Sequence, residues 1–283
     1  MDLDSLWTTL DGRLLPLFRD YRRRLPTLNV VEKADRTLLS EADVAVQDVI
    51  VESILSLFPG SGFVAEEEDS RLPRQGSPTW VIDPIDGTAE FVNPSSPEFC
   101  SVVCRLDDGT PTGAYVLAPE LARGESISIH WATRVTVNGS RALPPPQRDM
   151  PVRVSVTRSK GSPARAFERE LARTGCEMKL RTTSQTLDMV RTAIDLTTWT
   201  GTPGDQFDVF YRHRQKVWDG VAGIGLAVMM GRSAQNGDGG NPIPLTSAFL
   251  AQPEPTFDET ISGDPACVAW FLTLSRTEES LGE

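Results

Sequence analysis

Hydrophobic positions in the first 25 residues recur at intervals of three and four: Leu3, Leu6, Trp7, Leu10, Leu14, Phe18, Tyr21 and Leu25. That period predicts an amphipathic helix with one buried stripe, stopped by Pro26. Arg22, Arg23 and Arg24 fall in its last turn, where cations complement the helix dipole. Residues 29–39 lose the period and read as a loop or short strands carrying Lys33. A second helix opens at Ser40, with Val44, Val46, Val49, Ile50, Ile54 and Leu57 as its apolar side. Ser40 and Asp43 have the spacing of a capping box with Asp in place of Glu, which gives Asp43 a structural role. Pro59-Gly60-Ser61-Gly62 then turns the chain into a short strand, Phe63-Val64-Ala65, ending in Glu66-Glu67-Glu68-Asp69. An acidic run is ordinarily a solvated loop, but directly after a strand one acid can point inward.

Residues 70–79 are a polar connector, and Trp80-Val81-Ile82 reads as a buried strand that Pro84 ends at Asp83. Residues 99–105, 113–117, 126–130 and 134–137 alternate with turn residues and predict successive antiparallel strands. Asp107-Asp108-Gly109 is a hairpin signal between the first two. Leu143-Pro144-Pro145-Pro146-Gln147 cannot enter a ladder and predicts a border between one unit over 1–143 and another over 150–283. Beyond it the pattern alternates: a strand over 152–156, helices over 163–173 and 184–194, strand-like 208–211, and helices over 218–230 and 264–274. The 218–230 helix has almost no polar face, so it is expected to be buried. Its Gly223 and Gly225 permit close packing, and Met229 and Met230 read as core filler. Arg212, His213, Arg214 and Lys216 read as a solvated loop or, alternatively, as contacts to a substrate anion.

Asp83 and Asp86 sit three residues apart around Pro84-Ile85, close enough for both carboxylates to face one point. Carboxylates that near repel unless a proton or cation lies between them, and oxygen-only ligands suit hard Mg²⁺. Gly87 and Thr88 follow at an expected helix start, whose N–H groups suit a phosphate. Alone, the segment reads more readily as a strand, an Asp-Pro turn and a cap than as a site. Asp219, in the first turn of its helix, is likewise favoured by the dipole with no function at all.

With 283 residues, 39% hydrophobic and 24% charged, the chain fits a soluble globular protein of one large domain or two ordinary ones. A net charge of −11 argues against nucleic acid or an anionic membrane as partner. An acidic protein that handles phosphates needs metal ions to reverse its local sign. Asp2, Asp4, Asp11 and Asp20 interrupt the N-terminal residues, so no secretory h-region is expected, and the apolar run 221–230 is too short to span a bilayer. Cys100, Cys104, Cys176 and Cys267, with only His130 and His213 beside them, argue against zinc and for buried thiols in a reducing cytoplasm.

Four features line up along the chain. Glu66 follows a strand; Asp83, Ile85 and Asp86 lie within Trp80-Val81-Ile82-Asp83-Pro84-Ile85-Asp86-Gly87-Thr88; Trp218-Asp219-Gly220-Val221-Ala222-Gly223 opens a buried helix; Lys33 and Asp43 lie upstream. In this order they resemble the inositol monophosphatase superfamily of metal-dependent, typically lithium-sensitive phosphatases. Gly87-Thr88-Ala89-Glu90-Phe91 is similar to the variant found in its 3′(2′),5′-bisphosphate nucleotidase branch. Glu98-Phe99, Val116-Leu117-Ala118-Pro119 and Val156-Thr157-Arg158-Ser159 are softer matches to that branch.

The resemblance implies an α/β fold, a layered αβαβα sandwich of the sugar-phosphatase type. It implies that Glu66, Asp83 and the Ile85 carbonyl hold one Mg²⁺, that Asp83, Asp86 and Asp219 hold a second, and that a weaker third lies near Glu66. Asp43, Glu66 and Thr88 would orient or deprotonate the attacking water, the amides of Gly87 and Thr88 would cradle the phosphate, and Lys33 and Arg212 would contact substrate. The partner implied is a small phosphorylated metabolite; a homodimer is compatible, although no exposed stripe argues for one. Ser40 stands for the usual Thr, Ala65 for Gly and Ala89 for Lys or Thr. Ala89 and the Arg212 region leave the substrate open between a nucleoside bisphosphate and an inositol, sugar or pathway-specific phosphate. A non-catalytic binding protein of the same fold is the other class, and the intact acid set speaks against it.

Overall fold

The N-terminal period folds as α1 (Leu3–Arg23), burying Leu3, Leu6, Trp7, Leu10, Leu14 and Phe18, with Pro26 just beyond its end. The structure, a computed structural model, describes residues 2–33, 38–158, 162–202 and 205–274. A small hairpin of β1 (Val30–Glu32) and β2 (Leu38–Ser40) leads into α2 (Glu41–Leu57), with Ser40 as cap and Asp43 completing the capping box. Val44, expected on the apolar side, is exposed. The buried face is rotated to Ala42, Val46, Ile50 and Ile54, and it carries Asp43 and Gln47 inward with it.

Strands β3 (Gly62–Ala65) and β4 (Thr79–Asp86) are followed by the one-turn helix α3 (Thr88–Phe91). Then come β5 (Cys100–Asp107), β6 (Thr110–Ala122), β7 (Glu125–Trp131), β8 (Val135–Val137) and β9 (Ser140–Arg141). These seven strands form one sheet in chain order. Only the β3–β4 pair is parallel among them. The β5–β6 turn has φ of 49° at Asp108 and 75° at Gly109, the left-handed pair that an Asp-Gly hairpin needs.

The proline-rich segment lies between this sheet and a second one. The elements that follow are β10 (Arg153–Val156), α4 (Ala166–Arg173), β11 (Glu177–Lys179), α5 (Gln185–Ala193) and α6 (Thr197–Thr200). They continue with β12 (Val209–Lys216), α7 (Val217–Met229), β13 (Ser233–Gln235), α8 (Ser247–Leu250), β14 (Thr256–Gly263) and α9 (Pro265–Leu272). The second sheet runs β11-β10-β12-β14-β13. Arg212, His213 and Lys216 therefore belong to a paired strand and not to a loop: β14 supplies their ladder partners.

Alternation along the strands builds the layers. Trp80, Ile82, Val103, Tyr115 and Leu117 face α1 and α2. Val81, Val102, Cys104, Ala114 and Val116 face the opposite way, onto α5 and α7. Phe210 of β12 closes that layer from the second sheet, while its neighbours Val209 and Tyr211 pack with α4 and α9. The result is an αβαβα sandwich with α5 and α7 between the sheets. All four cysteines are buried and free. The α7 helix is buried to Ala227 but emerges at Val228 and Met229, so Met229 is exposed and not core filler.

Glycine sets the α5–α7 distance. A Cβ on Gly223 would meet the Met189 Cβ at 2.7 Å, and one on Gly225 would meet the Trp131 ring at 2.7 Å. Gly223→Val should therefore lower stability by about 1–3 kcal/mol through overpacking. Urea unfolding reads this directly, and an unchanged midpoint would mean that the helices have room to spare.

Candidate metal centre

Residues three apart on a regular strand point to opposite faces. Asp83 pairs with Val102 and Asp86 with Cys100, so three steps on β4 match two on β5. The extra residue is a bulge, and it returns Asp86 to the face of Asp83. Pro84 was expected to end the strand at Asp83; β4 instead continues to Asp86. Pro84 is tolerated because it falls inside the bulge, where the ladder needs no N–H, and because β3 pairing has already stopped at Ile82.

Asp219 reaches the same point from the first turn of α7. Asp83, Asp86 and Asp219 each place a carboxylate oxygen within 4.8 Å of the others. The N-terminal turn of α5 secures the group. Ser184 Oγ donates to Asp86 at 2.8 Å, and the backbone N–H groups of Thr186 and Gln185 donate to it at 2.6 and 3.3 Å. Gln185 also donates its side-chain amide to Asp219, and Thr186 Oγ1 donates to the Asp219 carbonyl at 3.1 Å. Sequence reasoning found the start of this helix but not its contacts with the acids. Nothing local marks them, because they join positions 98 and 34 residues apart.

The remaining expected residues are placed as follows. Glu66 follows β3, its N–H donating to Ile82 O at 3.0 Å, and its carboxyl lies within hydrogen-bond reach of Asp83. Lys33 is ion-paired to Glu66 at 3.2 Å and to Glu67 at 2.7 Å. Glu67 is thus buried and paired, where a solvated position was expected. Asp43 is fully buried; one oxygen accepts from Ser40 N at 2.7 Å and Ser40 Oγ at 2.6 Å, and the other lies 3.3 Å from Thr88 Oγ1. Thr88 Oγ1 also lies 3.1 Å from the Ile85 carbonyl. Gly87 adopts φ 94°, and a Cβ there would press on the Glu98 and Thr183 carbonyls at 3.0 and 3.1 Å. Arg212 lies within electrostatic reach of Asp219 and Asp86.

The charges are out of balance. Burial, then Glu66, Asp86 and Asp219, push the Asp83 carboxyl well above its usual range. Asp219 is raised by burial, Asp86 and Glu66. Asp86 is raised by burial against the pull of its donors on α5. Burial lifts Glu66 to about 7, with Lys33 opposing and Glu67 adding, and lifts Asp43 to about 6 against the Ser40 hydrogen bonds. Asp83 Oδ1 is buried with no hydrogen-bond partner. An orphaned carboxylate oxygen among mutually repelling acids, with oxygen donors only, fits a hard divalent cation such as Mg²⁺.

The sequence profile of the inositol monophosphatase family matches residues 12–264, and the chain belongs to that family. Among curated proteins, it is 34% identical over 119 residues to the histidinol-phosphatase of Mycobacterium tuberculosis, covering 40% of this chain and 43% of that one. It is 29% identical over 126 residues to the 3′(2′),5′-bisphosphate nucleotidase CysQ of Escherichia coli, covering 42% and 51%. The matched stretches thus span about half or less of these relatives' length. Among solved structures, a Staphylococcal inositol monophosphatase-1 soaked with LiCl superposes with a TM-score of 0.74 at 18% identity, covering 96% of this chain and 95% of that one. A dual inositol monophosphatase/NADP phosphatase complexed with Mg²⁺ and phosphate gives 0.71 at 19% identity, covering 96% and 97%. At such identity these two likenesses concern the fold.

Two predictions follow from the electrostatics. Carboxyls raised in the folded state stabilise it fully below their ordinary values, and that stability is lost as pH rises through about 6 and 7 for Asp43 and Glu66. A cation removes the penalty, so the rise in Tm on adding Mg²⁺ should be larger near about pH 8 than near about pH 5. A rise independent of pH would contradict this. Gln185→Ala frees Asp219 to rotate and should weaken Mn²⁺ binding by about 10-fold, measured by calorimetry; unchanged affinity would deny Gln185 any part in orienting Asp219.

Proposed function

We propose that this protein is a Mg²⁺-dependent phosphomonoesterase that releases phosphate from a small phosphorylated metabolite. The observation that carries the reading is the convergence of Asp83, Asp86 and Asp219 within 4.8 Å beside the Asp43–Thr88 pair. Glu66 and the Ile85 carbonyl complete the oxygen set with these three acids. Bound divalent ions supply charge neutralisation for the phosphoryl oxygens and lower the pKa of a bound water.

The chain's own groups do the rest. Thr88 Oγ1, 3.3 Å from Asp43 Oδ1, accepts a proton from the attacking water and passes it toward Asp43. Asp43, held near 6 by burial, is suited to receive it around neutral pH. Glu66 serves as a second acceptor, with Lys33 holding its carboxylate in place. The amides of Gly87 and Thr88 direct their N–H groups at the phosphate. In-line displacement by water follows, with no phosphoenzyme and with positioning supplying much of the acceleration. We extend the reading to lithium sensitivity, in keeping with the lithium-soaked inhibitory complex of the Staphylococcal relative.

For the substrate, the Gly87-Thr88-Ala89-Glu90-Phe91 segment and the likeness to CysQ favour a 3′(2′),5′-bisphosphate nucleotide. A second reading, histidinol phosphate, is favoured by the 34% identity to the mycobacterial phosphatase.

Phosphate release in Mg²⁺ from adenosine 3′,5′-bisphosphate, histidinol phosphate and inositol 1-phosphate tests the activity. Asp83→Asn should reduce kcat by about 100- to 1,000-fold or more while leaving the metal-free Tm unchanged or higher, since repulsion is relieved. A variant that keeps most of its activity would refute the role of these acids.

A further inference from the structure

Arg212 carries a charge that the rest of the site does not balance. It sits on β12, seven residues before Asp219, with its backbone in register with Thr260 of β14. Its side chain is largely buried, and its Nε has no hydrogen-bond partner among the described residues. No ion pair joins it to a carboxylate among those residues either. The acids within its electrostatic reach are Asp219 and Asp86, the same groups that face the divalent-ion site. Once those acids are matched by divalent cations, the guanidinium is left without a counter-ion in a poorly hydrated position, which is costly.

More positive charge stands behind it. Arg165, at the N-terminal end of α4, is the like charge that acts on Arg212. Arg165 Nε contacts Glu168 Oε1 at 2.6 Å, and its Nη2 donates to the Thr157 carbonyl at 2.7 Å. Arg158 Nη1 contacts the other oxygen of Glu168 at 3.0 Å. Glu168 is buried, so the guanidiniums of Arg165 and Arg158 share one fixed carboxylate, which leaves nothing over to neutralise Arg212. In a chain of net charge −11, such a local reversal of sign selects for an anion.

Resting on the phosphatase reading above, we infer that Arg212, backed by Arg165, is a specificity-determining residue that anchors a second anionic group on the substrate. That group is a phosphate or a carboxylate on the part of the molecule that leaves, separate from the phosphoryl group under attack. A guanidinium fork suits either by paired hydrogen bonds. The substrate class is then a phosphomonoester with a second anion, in preference to a neutral polyol phosphate or an amine-bearing phosphate such as histidinol phosphate.

The test uses matched pairs that differ only in the second anion. Adenosine 3′,5′-bisphosphate is compared with adenosine 3′-monophosphate for a phosphate anchor, and 3-phosphoglycerate with glycerol 1-phosphate for a carboxylate. In Mg²⁺, kcat/KM should favour the dianchored member of at least one pair by about 10- to 100-fold. Arg212→Gln should bring that ratio to near one, and Arg212→Lys should restore part of it. The Mg²⁺-induced rise in Tm of each variant checks that the fold and the acid site persist. The inference is overturned by a wild-type ratio near one in both pairs, or by a ratio that Arg212→Gln leaves in place. Should no phosphomonoester be hydrolysed, the phosphatase reading fails, and calorimetric binding of the same pairs in Ca²⁺ still decides the role of Arg212: equal affinity within both pairs overturns it.

Discussion

Asp83, Asp86 and Asp219 bring carboxylate oxygens within 4.8 Å of one another deep in the fold. Burial deprives these charges of water, and their nearness makes each raise the proton affinity of the next. Such a group is destabilising by itself at neutral pH. The architecture nevertheless devotes three elements to holding it together: a bulged strand end, the first turn of α7 and the N-terminal turn of α5. That expense of structure makes sense for a site whose acids are matched by divalent cations.

In the mechanism proposed here the same groups serve structure and chemistry together. Asp43 closes the capping box of α2 through Ser40 with one oxygen and faces Thr88 with the other. The cap fixes the carboxylate's orientation toward Thr88, which suits the proposed proton transfer. Lys33 does the equivalent for Glu66 and Glu67, tying two mutually repelling acids to one cation. Ser184, Gln185 and Thr186 satisfy Asp86 and Asp219 from outside the acid group, leaving Asp83 Oδ1 without a partner. The pattern is one of acids oriented by donors on one side and left open on the other.

Much of this was legible along the chain. The three- and four-residue periods of α1 and α2, the Asp-Gly hairpin and the unbroken apolar run of α7 each specify an element through local physics. The convergence of Asp83, Asp86 and Asp219 was also legible, because Asp83-Pro84-Ile85-Asp86 and Trp218-Asp219 are distinctive in combination. What escaped depends on partners far away. Pro84 reads locally as a strand end, and only the unequal spacing against β5 reveals a bulge that keeps the strand going. Arg212 and its neighbours look like a charged loop until β14 pairs with them, and β14 itself, Thr256–Gly263, carries acids that mask its strand pattern. Val44 reads as apolar side yet is exposed, because α2 turns Asp43 and Gln47 inward along with its apolar residues.

The most direct measurement is an anomalous difference map from crystals soaked in Mn²⁺. The account predicts a peak about 2.0–2.3 Å from oxygens of Asp83, Asp86 and Asp219, as hard divalent ions require of their ligands. Full-occupancy Mn²⁺ elsewhere on the protein, with those three carboxylates bound only to one another and to water, would contradict it.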